Sequence, residues 1–245
     1  MSKKIALITG ANKGIGFETA KQLGKENVTI IAASRNKERG EKAVADLKAS
    51  GVDAEFLQLD IDNSADISNA FDYINNKYGK LDILVNNAGI IIEEGHFGSN
   101  TATTITDKEL TQTFATNFFN VVALTNTLLP LIKKSEAGRI VNLSSILGSL
   151  NLHADKTSPI YGSKLFAYNS SKTALNAYTV HLAAALADTN IKVNSAHPGW
   201  VKTDLGTDAA PMEVVDGAKT SVALALLGND GYTGKYIHLG EELPW

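Results

Sequence analysis

Cysteine is absent from this sequence of 245 residues. Its absence excludes a disulfide framework, a thiolate nucleophile and a metal site built on cysteine. A strong excess of one charge is also lacking, because 23 Lys and Arg stand against 26 Asp and Glu, and the basic residues form no cluster. We therefore expect neither nucleic acid nor an anionic membrane as a partner.

Long hydrophobic runs are scarce as well. No apolar run in the sequence reaches the roughly 20 residues needed to cross a bilayer, and the first residues, MSKKIALITG, do not form a secretion signal. These absences predict a cytoplasmic protein with no membrane partner. The five histidines are not spaced as metal ligands, so no metal site is expected, although His96 and His153 are candidates for the mouth of a substrate site.

Short apolar segments alternate with helix-like stretches along the whole chain. The predicted strands are 5–8, 28–33, 55–59, 81–85, 139–143, 191–196 and 235–238, and the predicted helices are 14–25, 37–50, 64–78, 106–133, 168–187 and 212–227. Buried strands separated by helices are typical of a parallel sheet covered on both faces. We therefore predict one α/β domain over residues 1–245, a Rossmann-type doubly wound parallel sheet of about seven strands with helices on both faces.

The first predicted strand runs directly into a glycine-rich turn with the sequence TGANKGIG. Glycine permits a tight turn and a close approach to a pyrophosphate, and the following helix offers N–H groups at its positive end. The spacing G-x-x-x-G-x-G is not the commonest dinucleotide fingerprint, so a purely structural turn stays open as the alternative. The candidate cofactor ligands of the turn are Gly10, Asn12, Lys13, Gly14, Ile15 and Gly16.

The end of the second predicted strand indicates which nicotinamide cofactor to expect. The acidic residue that would bind a ribose 2′-hydroxyl is missing, and Ser34 and Arg35 stand there instead. Ser34 leaves room, and Arg35 and Lys13 supply positive charge for a 2′-phosphate, unless both cations are merely solvated. NADP(H) is therefore preferred, with NAD(H) as the alternative. Asp60, followed by Ile61, comes after the third strand and could bind the adenine amino group or cap a helix.

Tyr168 and Lys172 are four residues apart, which places them on one face of a predicted helix. A free tyrosine is protonated at neutral pH, and a nearby ammonium would lower its pKa towards the working pH. Tyr168 could then protonate the alkoxide that hydride transfer produces, while Ser145 holds the substrate oxygen. A tyrosine packed on a buried helix face is the alternative.

Five motifs in this order resemble the short-chain dehydrogenase/reductase family over essentially the whole chain. They are TGANKGIG, NNAG at 86–89, a serine after the fifth strand, Y-x-x-x-K at 168–172, and Pro198-Gly199. The resemblance implies Ser145, Tyr168 and Lys172 as the catalytic set. We choose Ser145 over its neighbour Ser144 because it precedes a hydrophobic pair and a glycine.

The resemblance also implies the remaining site residues. Asn117, on the long helix before the fifth strand, would take part in a water-mediated proton relay, and Lys172 would hold the nicotinamide ribose as well. The other implied cofactor ligands are Asn87, Ala88 and Gly89 beside the ribose, and Pro198, Gly199, Val201 and Thr203 along the nicotinamide.

The segments 199–204 and 231–245 resemble carbonyl reductase-like members of that family. This implies an NADPH-dependent reductase of a small aldehyde, ketone or quinone. An oxidative alcohol or sugar dehydrogenase and a non-catalytic NADP(H)-binding regulator stay open as alternatives. The long 151–164 segment before the catalytic helix leaves both a monomer and a homo-oligomer open. An apolar substrate wall is expected from Leu147, Leu150, Leu152, Ile160, Trp200 and Leu205.

Overall fold

The computed structural model describes residues 3–94 and 98–245, and His96 lies outside them. The strands of the described chain are β1 Ile5–Thr9, β2 Thr29–Ser34, β3 Ala54–Gln58, β4 Ile83–Asn86, β5 Arg139–Leu143, β6 Lys192–Ala196, β7 Tyr236–His238 and β8 Glu241–Glu242. They form one sheet in the order β3-β2-β1-β4-β5-β6-β7-β8. The pairs from β3 to β7 are parallel, and β8 pairs antiparallel with β7.

Helices cover both faces of this sheet. They are α1 Gly14–Lys25, α2 Lys37–Ala49, α3 Ser64–Tyr78, α4 Asp107–Phe114, α5 Asn120–Ile132, α6 Leu150–Ala154, α7 Phe166–Ala185, α8 Val214–Gly217 and α9 Lys219–Ala225. The hydrophobic residues of α3, α5 and α7 pack on one face, and those of α1, α2 and α9 pack on the other. The prediction of a Rossmann-type doubly wound parallel sheet is confirmed.

The position of β1 between two layers of helices explains why its sequence, IALIT, is apolar almost throughout. Successive side chains of a strand point to opposite faces. Leu7 belongs to the core under α3, α5 and α7, whereas Ala6 and Ile8 belong to the core under α1, α2 and α9. A strand covered on both faces has no solvent side on which a polar residue would be favoured.

The strand order sets the position of the site. Strand β1 lies between β2 and β4, so the chain winds outward to β3 on one side and from β4 to β7 on the other. The loops after β1 and β4 therefore diverge, and a crevice opens between them at the carboxyl ends of the strands.

The structure differs from the sequence-based prediction at four places. The helix expected over 106–133 contains a π-helical turn, Ala115–Phe119, between α4 and α5, and the helix expected over 212–227 is divided into α8 and α9. The short elements α6 and β8 stand where loops were expected. Hydrophobic periodicity does not report the hydrogen-bond pattern inside a helix, and β8 consists of two exposed glutamates, so no local pattern marked either feature.

The helical run Asp107–Ile132 is long and apolar enough, by composition, to cross a membrane, with a mean hydropathy of 1.3. The expectation that no stretch of the chain meets this test was therefore too strict. The side chains of Leu124, Leu128 and Leu131 are nevertheless buried in the core beneath α3 and α7. This is the packing of a core helix.

Candidate active site

A crevice of about 830 Å³ follows the carboxyl ends of the central strands. Most of the predicted site residues line it. They are Gly10, Asn12, Lys13, Gly14, Ile15, Gly16, Ser34, Arg35, Asp60, Ile61, Asn87, Ala88, Gly89, Tyr168, Lys172, Pro198 and Thr203. Four other predicted site residues, Asn117, Ser145, Gly199 and Val201, are not part of this lining.

The glycine turn after β1 is shaped for a ligand that approaches the backbone. Gly10 has a φ of +65°, which L side chains rarely adopt. At Gly16 an added Cβ would overlap the Asn87 amide nitrogen and lie 2.6 Å from the Gly10 carbonyl oxygen. Lys13 precedes α1 and gives it no side-chain cap, so the first N–H groups of α1 face the crevice without one. Such a turn fits a pyrophosphate.

Thr9 locks the turn to the NNAG segment, and the sequence-based prediction did not include it. Its hydroxyl oxygen accepts hydrogen bonds from the backbone N–H groups of Asn87 and Ala88, both at 3.0 Å. The Asn87 amide in turn donates to the Thr9 carbonyl oxygen at 2.7 Å. A hydroxyl residue at the end of a buried apolar strand was the one signal that could have identified this position.

Three polar groups border the far end of the crevice. Ser34 is buried, and its hydroxyl donates to the Asn36 carbonyl oxygen at 3.2 Å. Arg35 is exposed and forms no ion pair with any described residue, so its guanidinium is available for a phosphate. Asp60 accepts the N–H of Asp62 at 3.1 Å, so its carboxylate closes a turn rather than capping α3, for which Asn63 is the cap.

Lys13 crosses the mouth of the crevice. Its ammonium forms an ion pair with Asp204, in the segment after β6. Both side chains are more than half exposed, so the pair contributes little to stability. The pair joins the glycine turn to the 201–205 segment. Lys13 can therefore bind a 2′-phosphate only by giving up its ion pair with the Asp204 carboxylate.

At the other end of the crevice, α7 brings the predicted catalytic residues together. Tyr168 is the third residue of α7, and the Ser145 side chain lies close enough to its hydroxyl to act on its pKa. Lys172 lies one turn later, with its Nζ 5.7 Å from the centre of the Tyr168 ring. That Nζ donates to the Leu143 carbonyl oxygen at 2.8 Å. The neighbouring Ser144 faces a different tyrosine, Tyr236.

Burial decides the protonation of both groups. It raises the pKa of Tyr168 to about 12, with the nearby Ser145 side chain acting in the opposite direction. It lowers the pKa of Lys172 to about 8. We had expected the ammonium to lower the pKa of Tyr168, but here desolvation disfavours both charged forms and dominates. At neutral pH Tyr168 therefore keeps its proton, and most of Lys172 is charged.

Asn117 is presented by the π-helical turn and is fully buried. Its side-chain oxygen accepts the N–H of Ile90 at 2.8 Å, and its nitrogen donates to the Ile90 carbonyl oxygen and to the Ser171 hydroxyl. A Cβ on Gly89 would lie 3.3 Å from the Asn117 Oδ1 and 3.5 Å from the Lys172 Nζ. Asn117 thus fixes the segment after β4 against α7, close to the lysine. The π-helical turn is frequent at functional sites.

His197 is a second residue that sequence reasoning passed over as ordinary. It is 7% exposed, and its Nδ1 accepts the N–H of Ile146 at 3.1 Å and that of Gly199 at 3.4 Å. Burial, and then the neighbouring His238, lower the pKa of His197 to about 3. The neutral imidazole therefore joins the loop that carries Ser145 to the Pro198-Gly199 loop. No local pattern distinguishes such a histidine.

Glu93 is a third residue that the sequence did not single out. It is 5% exposed, and its carboxylate accepts the backbone N–H groups of Ala167 and Tyr168 at 2.7 and 3.3 Å. Burial raises the pKa of this carboxyl, while the two N–H groups and the Thr101 hydroxyl act to lower it. A buried carboxylate thus contacts the first turn of the catalytic helix.

The substrate end of the crevice is mainly apolar, although its wall differs from the expected one. Ile90, Ile91 and Ile92 line the crevice together with Leu205, which was expected. Leu147 and Ile160 pack around Tyr168. Leu150 is 63% exposed and Trp200 is 41% exposed, and neither belongs to the lining, as is also true of Leu152.

Metal ligands do not converge within the described ranges, 3–94 and 98–245, where no group of three His, Asp or Glu side chains could hold an ion. His153, expected at the substrate mouth, bonds within the 146–164 segment and to Asn169 in α7, whose amide nitrogen lies 3.2 Å from its Nε2. Its ring nitrogens contact the Leu147 carbonyl oxygen at 2.9 Å and the Lys164 ammonium at 3.1 Å.

Comparison with known proteins identifies the family. The family model described as short chain dehydrogenase matches residues 4–214. Carbonyl reductase (NADPH) 1 of Mus musculus is 33% identical and covers 100% of this chain and 99% of its own length, and (+)-neomenthol dehydrogenase of Capsicum annuum is 31% identical, with 98% and 97% covered. The crystal structure of NADPH-bound carbonyl reductase from chicken fatty liver superposes with a TM-score of 0.83 at 25% identity, covering 100% of both chains.

Proposed function

This chain belongs to the short-chain dehydrogenase/reductase family, and we propose that it reduces an uncharged aldehyde, ketone or quinone with Tyr168 as the proton donor. It is an NADP(H)-dependent oxidoreductase of the carbonyl reductase-like kind, acting on small carbonyl compounds. The observation that carries the finer proposal is the buried Tyr168, which lies near Ser145 and one helical turn from Lys172.

The residues of the crevice fit NADP(H). The glycine turn between β1 and α1 would hold the pyrophosphate, because its backbone has no room for a Cβ at Gly16. Arg35 would bind the 2′-phosphate, since its exposed guanidinium offers a planar fork of donors. Lys172 would hold the ribose next to the nicotinamide, from its position at the end of β5. When bound, NADPH supplies the hydride that the carbonyl carbon accepts.

The chain's own residues bind and protonate the oxygen of the substrate. Ser145 donates a hydrogen bond to the carbonyl oxygen and fixes its position. Tyr168 transfers its hydroxyl proton to that oxygen as negative charge develops there, which yields the alcohol. The Lys172 ammonium stabilises the tyrosinate that remains, which lowers the cost of giving up the proton. Asn117 binds Ile90 in the segment after β4 and Ser171 in α7, so it fixes that segment against α7.

The protonation of Tyr168 favours reduction over the oxidative alternative. A hydroxyl with a pKa of about 12 holds its proton at neutral pH and is ready to donate it. Oxidation of an alcohol would require the same hydroxyl to be ionised beforehand. A non-catalytic NADP(H)-binding regulator would need the nucleotide end of the crevice alone, and it gives no reason for a buried Ser145–Tyr168 pair.

The test is the loss of NADPH absorbance with a panel of aldehydes, ketones and quinones, run beside NADH. We expect turnover that prefers NADPH and a decrease of kcat by roughly 10²- to 10⁴-fold in Tyr168→Phe. Tyr161→Phe is the matched control, because Tyr161 is exposed, lies against Lys164 and should leave turnover unchanged. Tight NADPH binding without turnover of any carbonyl would contradict the proposal and favour the regulator.

A further inference from the structure

The catalytic helix α7 does not begin with a capping residue of its own. Leu165 precedes it, and in the described chain no side-chain cap comes from that position. The first N–H groups of a helix need acceptors from elsewhere when they are buried. Here the Thr101 hydroxyl accepts the N–H of Phe166 at 2.8 Å, and Glu93 accepts the next two N–H groups, those of Ala167 and Tyr168.

Glu93 is an unusual choice for such a contact, because a buried carboxylate is costly. Its partners offset that cost. One carboxylate oxygen receives both backbone N–H groups, and the other receives the Thr101 hydroxyl at 3.4 Å. The carboxylate also lies at the positive end of a helix of 20 residues. Among the described residues, this is the contact that joins the segment after the NNAG motif to the backbone of Tyr168 itself.

We propose that Glu93 positions Tyr168 for proton transfer, by fixing the backbone of the first turn of α7 through its two N–H contacts. The inference rests on the proposed function, since it concerns the proton donor of that reaction. Glu93 itself touches neither of the two catalytic hydroxyls, so its effect passes through the helix. A shift of the phenol by a fraction of an ångström away from Ser145 slows the chemical step without changing how the nucleotide end binds.

Two substitutions separate the hydrogen bonds from the mere presence of a side chain. Glu93→Gln keeps an oxygen for the N–H groups of Ala167 and Tyr168, and its amide can donate to the Thr101 hydroxyl. Glu93→Ala removes the acceptor. The matched control is Asn63→Ala, because Asn63 caps α3 by accepting the N–H of Ala65, and α3 packs against α5. It loses a helix cap of the same kind without touching α7.

The measurements are kcat with the best carbonyl substrate, the Kd for NADPH from its fluorescence, and the melting temperature. For Glu93→Ala we expect kcat to fall by roughly 10- to 100-fold while the Kd for NADPH changes less than twofold. Glu93→Gln should restore most of kcat. Asn63→Ala should lower the melting temperature as much as Glu93→Ala does and leave kcat unchanged. Wild-type kcat in Glu93→Ala, or a loss in Glu93→Gln as large as in Glu93→Ala, would overturn the inference.

Backbone hydrogen exchange supplies a readout that does not depend on turnover. Loss of the acceptor should speed exchange of the Ala167 and Tyr168 amides in Glu93→Ala, and not in Glu93→Gln, while the middle of α7 stays protected. Unchanged exchange at both amides would refute the role of Glu93 even if the reaction is as proposed. If the wild type reduces no carbonyl, the proposed function fails, and the exchange result still decides whether Glu93 holds this turn.

Discussion

The two ends of the crevice differ in the groups that form their surfaces. The nucleotide end consists of backbone turned tightly at glycine, with its cations, Lys13 and Arg35, in solvent. The catalytic end consists of buried side chains, Tyr168 and Lys172, that are 7% and 4% exposed and whose pKa values are displaced by burial. In the proposed function, the first end would recognise the nucleotide by its shape, and the second would perform the chemistry among buried side chains.

This difference says what each end tolerates. Where the backbone itself is the binding surface, one added carbon is damaging, whereas an exposed charge contributes modestly. Where buried side chains do the chemistry, replacing one of them by an apolar side chain of the same size removes a charge or a hydrogen bond in a medium of low polarity. Substitutions at the two ends should therefore fail in different measurable quantities.

At the nucleotide end the largest effect should come from Gly16→Ala. The new Cβ would overlap the Asn87 amide and press on the Gly10 carbonyl, so the turn must open. We expect NADPH to bind roughly 10- to 100-fold more weakly, with kcat at saturating NADPH close to that of the wild type. Gly162→Ala is the control, because an added Cβ there meets nothing within 4 Å. Unchanged NADPH affinity in Gly16→Ala would refute the idea that this end recognises backbone shape.

The pH dependence of the reaction should show the next largest effect, at the catalytic end. Lys172 loses its charge as the pH rises through about 8, whereas Tyr168 keeps its proton up to about 12. The kcat/KM for reduction reports the free enzyme, and it should be level below pH 8 and fall by about tenfold per pH unit above it. In Lys172→Met the rate should be low throughout, without that decline. A wild-type profile that stays level to pH 10 would assign the ammonium no part in catalysis.

Sequence reasoning succeeded where neighbours along the chain determine the outcome. The strand expected at 5–8 is found there within β1, because a continuous apolar run needs no partner to be recognised. Tyr168 and Lys172 share a helix face because their spacing requires it. The glycine turn likewise follows from adjacent residues.

The rest depends on contacts between residues far apart in the chain. Glu93 lies 75 residues before Tyr168, and His197 lies 51 residues after Ile146, so neither contact leaves a local pattern. The π-helical turn that carries Asn117 is a matter of hydrogen-bond register, which composition does not encode. The rise in the pKa of Tyr168 follows from how completely the fold buries it, which the four-residue spacing to Lys172 could not reveal.

The smallest expected effect concerns stability and tests whether the buried chemistry extends to His197. Its pKa is about 3 in the folded chain, because of burial and then His238, against 6.5 for the free side chain. Between these pH values the unfolded chain binds a proton at His197 that the folded chain does not. The contribution of neutral His197 to the unfolding free energy is therefore fully present above pH 6.5 and is lost as the pH falls. Each pH unit within that window should remove about 1.4 kcal/mol.

The substitution that isolates this contribution is His197→Asn. An asparagine oxygen can take the place of Nδ1 as acceptor for the N–H groups of Ile146 and Gly199, and it does not titrate. Between pH 7 and pH 5 the wild type should lose about 2 kcal/mol of unfolding free energy relative to His197→Asn, measured by urea denaturation. His181→Asn, which removes an exposed imidazole from α7, is the control. Parallel curves for the wild type and His197→Asn would mean that His197 gains a proton in the folded chain, and that the loop beside Ser145 is as open to water as the nucleotide end.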